Sequence, residues 1–299
     1  MISIISFYAF YSCSLPLSKY LLGYTKPIFL VAARMLVAGF ILLIAKLYIM
    51  REKFVFKNSH RLWVFNSIFF GVFLKYTLRN WSLQYMPVAK LAFMLNCTPF
   101  VAAIFSYAWF KEKLSFNQWI GLLIGFVGVV PLVILKTKPE AHLTEFFYIS
   151  WPELALFGSL VCHTYGMILA RQLIKFEDYS PSMVNCMWTL GGGFFALLTA
   201  WTFEGFFPVT HITRFLPAFA ALVIISNVIC HTLYLRLTKH YTVTFISFTE
   251  LMSPFFVLLY SWLFLGETVT WIYPFSGLIF FIGLYIFHKD ELKKNSYTN

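Results

Sequence analysis

The sequence predicts an all-α integral membrane protein whose ten transmembrane helices form two inverted five-helix repeats. Three observations carry that expectation: too little charge for a soluble globule, ten apolar runs of spanning length, and a self-similarity at an offset of 155 residues. Of the 299 residues, 60% are hydrophobic, 21% aromatic and 12% charged, and the mean hydropathy is +0.75. Soluble domains carry about a quarter charged residues and about 45–50% apolar ones. Half that charge cannot coat the surface of a water-soluble protein of this size. The same numbers exclude a disordered chain. Five Cys (Cys13, Cys97, Cys162, Cys186 and Cys230) are too few and too scattered for a disulfide scaffold, and none forms a C-x-x-C pair. They are expected as packed, inert thiols.

About 30 Å of hydrocarbon requires roughly 20 helical residues at 1.5 Å rise each. Runs of that kind cover approximately 2–22, 28–49, 62–82, 87–110, 118–135, 152–173, 182–203, 215–237, 242–265 and 271–288. The first run lacks a basic leader and a small-residue cleavage site, so it is read as a helix and not a removed signal. Only the 136–151 stretch and the C-terminal tail suit water. The expected organisation is a first repeat over 1–136, a connecting loop over 137–151, a second repeat over 152–288 and a cytoplasmic tail over 289–299. With no soluble domain, any function resides inside the bundle.

The chain has 23 Lys and Arg against 12 Asp and Glu, a net charge of +11. In a soluble protein that excess suggests nucleic acid. Here it reads as a topology signal, and no nucleic-acid partner is expected. With the N-terminus inside, thirteen of the 23 fall on the inner side and seven on the outer. That bias places both termini in the cytoplasm of a multi-pass protein of the cell inner membrane, with the lipid bilayer and a small-molecule solute as partners.

Residues 76–112 laid on 231–267 give eight identities in 37 positions, among them Thr77/Thr232, Pro99/Pro254, Phe100/Phe255 and Glu112/Glu267. The order of features is the stronger signal. Each copy has a span, a short turn, a span with Pro in its middle, a Glu just past its end, and a Gly-rich final span. Five spans separate equivalent points. That number is odd, so the halves lie upside down relative to each other. Inverted repeats suit alternating access around a midplane site.

The segment from Pro87 reads PVAKLAFMLNCTPFVAAIFSYAWFKEKLSFNQWIGLLIGFVGVV, and its counterpart from Thr242 reads TVTFISFTELMSPFFVLLYSWLFLGETVTWIYPFSGLIFFIGLYI. With Pro99, Glu112, Gly121 and Gly128 in the first, and Pro254, Glu267, Gly277 and Gly283 in the second, the chain resembles the EamA-type drug/metabolite transporter superfamily. The second copy has one extra residue before Gly277, and the early spans of each half match only loosely. The resemblance covers nearly the whole chain through span count and repeat. It implies ten helices, a central cavity built mainly by the first four of each half, and peripheral last helices. It also implies carriage of amino acids, nucleotide derivatives, S-adenosylmethionine, nucleotide-linked sugars or drugs, without choosing among them.

A charge near the bilayer centre costs about 2.5–3.5 kcal/mol on insertion scales, so it tends to face a wet cavity. Arg34 sits in the second run, Lys75 and Arg79 sit four apart in the third, and Lys90 opens the fourth. They either form a basic vestibule for a carboxylate or phosphate, or, for Arg34, Arg79 and Lys90, snorkel to the outer headgroups. Lys75 lies deeper, which favours the cavity. Glu250 is the only carboxylate well inside a run, four residues before Pro254. It could pair with a substrate ammonium or sulfonium, exchange a proton, or form a fixed salt bridge with Lys75 or Arg34. Asn96 is one residue past the repeat-equivalent of Glu250. Tyr76, Trp81, Tyr85, Trp188 and Phe248 either stack on a flat or cationic ligand or simply pack. Cys162-His163-Thr164 and Cys230-His231-Thr232 repeat a small pattern; adjacent helical residues point about 100° apart, so such a pair does not grip one metal. His163 and His231 remain candidate cavity donors or proton carriers. The expected substrate-binding set is therefore Arg34, Lys75, Tyr76, Arg79, Lys90, Asn96, His163, His231 and Glu250, with Glu250 also the proton-coupling candidate. Glu112 and Glu267 end equivalent spans and are expected to stabilise turns.

The chain has no H-E-x-x-H, no G-x-S-x-G and no phosphate-binding G-x-x-x-x-G-K-[ST] loop. No catalytic residue, metal or cofactor is expected, so the protein is not read as an enzyme and transport would be secondary. The reading is a secondary transporter or exchanger of a small polar metabolite, an amino acid or an S-adenosylmethionine-like compound. The rivals are a carrier of phosphorylated or nucleotide-linked solutes and a membrane enzyme acting on lipid-linked substrates.

Overall fold

The computed structural model describes residues 2–49, 57–85, 91, 94–135, 150–205, 208–253, 255–256, 259 and 272–296. Among them the chain is helical, joined by short turns, with one isolated bridge between Thr25 and Val209. The helices are α1 (Ile2–Tyr11), α2 (Ser14–Leu22), α3 (Pro27–Ile44), α4 (Arg61–Ile68), α5 (Lys75–Tyr85), α6 (Thr98–Phe110) and α7 (Phe116–Leu135). They continue with α8 (Trp151–Arg171), α9 (Pro181–Phe203), α10 (Ile212–Ala221), α11 (His231–His240), α12 (Val243–Thr249) and α13 (Ile272–Ser296). Among the described residues, four stretches are long and apolar enough to cross a membrane: Pro27–Tyr48, Trp151–Phe176, Pro181–Phe203 and Ile212–His240.

The helix starts reflect local chemistry. Pro stands in the first turn of α3, α6, α8 and α9, where its missing N–H costs no hydrogen bond. The Ser180 hydroxyl accepts from the Met183 amide to cap α9, and Thr242 accepts from Phe245 to cap α12. Ser150 and Glu153 form a reciprocal capping box on α8. The Glu204 carboxylate accepts from the amides of Ile28 (3.1 Å) and Phe29 (2.7 Å), capping α3 from a distant part of the chain.

Among the described residues, three interruptions break the helices. α1 and α2 are separated at Ser12–Cys13. The fourth expected run is not one helix with Pro at its centre: a turn at Asn96–Cys97 precedes α6, and Pro99 sits in the first turn of the new helix. α12 tightens into a 3₁₀ turn at Glu250–Met252. Pro254 itself lies outside the described residues, as does Glu267. Two π-helical stretches, Phe69–Leu74 and Leu222–Cys230, lead directly into Lys75 and His231. Irregular backbone at membrane depth persists where it is buried in protein or lines a cavity, and π segments cluster at functional sites.

Packing pairs α3 with α9 and α7 with α13 most extensively. Small residues permit the close approach. A Cβ on Gly121 would stand 2.6 Å from the carbonyl oxygen of Gly283, and one on Gly283 would stand 2.5 Å from that of Gly121. Lipid gives no hydrophobic drive between helices, so such backbone contact supplies the dispersion energy that holds them.

Glu112 does more than end a turn. Its carboxylate accepts two hydrogen bonds from Arg171, at 2.7 and 2.8 Å, tying the end of α6 to the end of α8. The guanidinium also lies 4.8 Å from the ring centre of Phe110.

Candidate functional site

The π segments and the 3₁₀ turn present side chains to a buried cluster with two poles. At the cationic pole, the π segment before α5 delivers Lys75 and Tyr76 to the interior. The Tyr76 ring carries the Arg34 guanidinium of α3 at 4.4 Å and the Lys75 ammonium at 4.6 Å. Cation–π contacts of this kind strengthen when desolvated. Arg34 is 4% exposed and Lys75 5% exposed, so neither reaches headgroups by snorkelling. Arg34 also donates to the Ser18 hydroxyl at 3.4 Å. The Tyr76 hydroxyl and His231 Nε2 share a hydrogen bond of 3.2 Å. The Trp188 ring stands 6.5 Å from His231, and its Nε1 donates to Ser67 at 3.1 Å.

At the anionic pole, the 3₁₀ turn after α12 presents Glu250. Tyr234, one helical turn beyond His231, donates its hydroxyl proton to Glu250 Oε1 at 2.6 Å. His163 Nε2 lies 3.6 Å from the same oxygen. The Tyr234 ring stacks against Phe7 at 5.8 Å and His163 at 6.3 Å. Tyr8 donates to the Ile246 carbonyl at 3.0 Å and accepts from Thr249 at 3.1 Å, bracing the turn that carries Glu250. Between α1 and the second half, the hydroxyls of Ser12 and Ser253 stand 2.9 Å apart.

One helix joins the poles: His231 and Tyr234, three residues apart on α11, reach Tyr76 and Glu250 respectively. A fixed salt bridge of Glu250 with Lys75 or Arg34 is not among the ion pairs of the described residues, which for Glu250 name His163. Arg34 Nε, His163 Nδ1 and His231 Nδ1 are buried with no hydrogen-bond partner among the described residues. Buried polar atoms of that kind need an explanation, and an incoming polar ligand is one.

Six of the nine expected residues thus meet: Arg34, Lys75, Tyr76, His163, His231 and Glu250; Arg79 stands half-buried one turn along α5 from Lys75. Asn96 is buried at the turn before α6, but among the described residues no contact joins it to the group. Lys90 lies outside the described residues. Of the aromatic candidates, Trp188 borders the cluster. Phe248 instead packs on Phe280 and Phe287, and Trp81 pairs with Tyr85. Tyr8 and Tyr234 contact Glu250 or its turn and escaped sequence reasoning, as did Tyr11, which packs on Phe7 and Tyr8. One signal was available: Tyr234 comes three residues after His231, on the same helical face. Among the described residues no group of three His, Cys, Asp or Glu could hold a metal ion.

Helices that break around a buried, charged centre in a multi-helix membrane protein define a solute carrier. Comparison with known proteins gives the same class. The EamA-like transporter family matches residues 1–134 and 150–288. A protein of Chlamydia muridarum named S-adenosylmethionine/S-adenosylhomocysteine transporter is 31% identical over 280 residues, covering 92% of this chain and 86% of that one. A protein of the same name from Chlamydia trachomatis is 30% identical, covering 92% of this chain and 83% of the other. One solved crystal structure, 18% identical, superposes with a TM-score of 0.77 over 97% of both chains and shares the fold. The chain belongs to the EamA-like transporter family and is a multi-pass membrane transporter of small solutes.

Proposed function

We propose that the protein carries S-adenosylmethionine and S-adenosylhomocysteine across the cell inner membrane, by alternating access between two inverted five-helix repeats. The repeats are 1–136 and 152–288, joined by 137–151 and succeeded by a tail over 289–299, with both ends in the cytoplasm. Three packing facts support the frame. α3 lies against α9 and α7 against α13, and each pair relates by an offset near 155. The hydrogen-bonded Tyr76 and His231 are themselves 155 positions apart.

The observation that carries the substrate reading is the two-poled site. S-adenosylmethionine has a carboxylate, an ammonium, a sulfonium and a planar purine. Arg34, Lys75 and Arg79 receive the carboxylate, with Lys90 a further candidate on its sequence position alone. Glu250 faces the ammonium and sulfonium. Tyr76 and Trp188 offer rings for stacking, and His163, His231 and Asn96 offer polar contacts. Glu250, paired with His163, is also the candidate for proton coupling. A phosphorylated solute would meet the Glu250 carboxylate inside the same cluster, which disfavours that rival. The relatives named as S-adenosylmethionine/S-adenosylhomocysteine transporters point the same way.

The test is uptake of a labelled metabolite panel into proteoliposomes, with and without preloaded counter-solute and with and without a proton gradient. S-adenosylmethionine should accumulate, faster when the vesicles hold S-adenosylhomocysteine. Uptake of phosphorylated solutes alone would overturn the reading.

A further inference from the structure

We infer that Tyr234 is a positioning residue that lets the carrier tell a sulfonium from a thioether, by fixing which oxygen of Glu250 meets the ligand. The inference rests on the proposed substrate and deepens that reading. The two cargoes differ at one atom. S-adenosylmethionine has a positively charged sulfur with three carbon substituents; S-adenosylhomocysteine has a neutral sulfur with two. A site that separates them reads charge at that point and little else.

The two oxygens of Glu250 have different neighbours. Oε1 accepts the short hydrogen bond from Tyr234, 2.6 Å, and lies 3.6 Å from His163 Nε2. Among the described residues, no hydrogen bond or ion pair engages Oε2, while the side chain is 25% exposed. One oxygen is therefore anchored, and the other has no hydrogen bond or ion pair among the described residues. A carboxylate held this way presents one negative edge in a fixed direction, and a hydrogen bond to an ionised acceptor is about twice as strong as a neutral one. The surroundings suit a sulfonium. The rings of Phe7, Tyr234 and His163 stack in that order, at 5.8 and 6.3 Å, bordering the same carboxylate. Aromatic faces attract poorly hydrated onium cations. A neutral thioether gains from the apolar rings but not from the charge.

The location also explains why the anchor comes from α11. Tyr234 and His231 share a face of that helix, and His231 holds Tyr76 at the opposite pole. One helix thus fixes an anionic hook on one side and the cation-bearing ring on the other. The span between the poles becomes a property of a rigid element.

Tyr234→Phe separates positioning from packing. It keeps the ring against Phe7 and His163 and removes only the hydroxyl. Binding of both compounds to the purified carrier in detergent, measured by calorimetry, gives two dissociation constants. The variant should lose roughly tenfold in affinity for S-adenosylmethionine, the equivalent of one charge-assisted hydrogen bond, and change by less than about twofold for S-adenosylhomocysteine. A merely structural role would weaken both by the same factor, and that result, or no change in either, overturns the inference. If wild-type protein binds neither compound, the substrate reading falls and takes this inference with it. A ligand series on unmutated protein gives a second test should the variant not fold: the sulfonium, an aza analogue with a protonated amine in place of the sulfur, and the thioether. Both cations should bind more tightly than the thioether. Equal affinity for all three overturns the inference while leaving the substrate reading standing.

Discussion

Replacing Glu112 with Gln strands the guanidinium of Arg171. The side chain of Arg171 is 2% exposed and that of Glu112 is 30% exposed, and two hydrogen bonds of 2.7 and 2.8 Å join them. Removing one partner of a fully buried pair costs about 3–5 kcal/mol, because a desolvated charge is left without compensation. The partial exposure of Glu112 lets water reach the vacated side, which lowers the expected loss to about 2–3 kcal/mol. At roughly 2–4 °C for each kcal/mol, the melting temperature in detergent should fall by about 4–12 °C, read by intrinsic tryptophan fluorescence. The informative arm is the double variant Glu112→Gln with Arg171→Met. It removes both charges, keeps an apolar chain over Phe110, and should recover most of the loss. A single variant that melts within about 1 °C of the wild type would refute the reasoning, as would a double variant no better than the single.

Three further outcomes are expected from the same geometry. Glu250→Gln should slow S-adenosylmethionine exchange in proteoliposomes at least tenfold, by about the 1.4 kcal/mol that separates a charged from a neutral acceptor, whereas a carrier of phosphorylated solutes would be spared. Gly283→Val should abolish a monodisperse peak on size exclusion, because any Cβ there meets the Gly121 carbonyl at 2.5 Å; Gly277→Ala, whose nearest neighbour is a Phe255 ring atom at 3.4 Å, should elute as wild type. Tyr76→Phe keeps the ring under Arg34 and Lys75 but removes the hydroxyl bonded to His231, and should lower thermal stability by about 1 kcal/mol in the same fluorescence melt.

What the sequence made legible was decided by how rare a residue type is in its setting. Arg34, Lys75 and Glu250 stood out because charge in an apolar run is costly, and they stand at the two poles of one cluster, Arg34 and Lys75 on the Tyr76 ring and Glu250 against Tyr234. Tyr8, Tyr11 and Tyr234 did not stand out in a chain that is 21% aromatic. Nothing in a single Tyr distinguishes a hydroxyl that braces a carboxylate from one at the headgroup level. Arg171 misleads in the other direction. Counted with the inner-loop basic residues, it is instead almost wholly buried, held by Glu112 and stacked on Phe110. Its partner lies 59 positions away, and no local pattern links the two. The helix breaks fall between these cases. Pro99 announced an interruption, but the sequence does not say whether Pro kinks a helix or starts a new one, and here it starts α6.

Under the proposed two-repeat architecture, the site combines a repeated frame with unrepeated chemistry. At the offset of 155, Tyr76 corresponds to His231, Arg79 to Tyr234, Tyr8 to His163, Lys75 to Cys230 and Arg34 to Thr189. The first and third pairs each supply a site residue from both members, so the frame brings equivalent positions to the same centre. The charges do not obey the frame. Arg34, Lys75 and Arg79 all come from before the connecting loop, and Glu250 comes from after it. Under the proposed two-repeat architecture this separation has a mechanical consequence. When the halves rock, cationic and anionic groups move as members of different bodies, and a ligand carrying both signs is held by both bodies at once. A ligand of single sign would grip one half and be repelled by the other. Coupling of the halves through the cargo then requires both signs on one solute, which the α-carboxylate and ammonium supply in S-adenosylmethionine and S-adenosylhomocysteine alike, and this restricts which solutes can drive the exchange of faces.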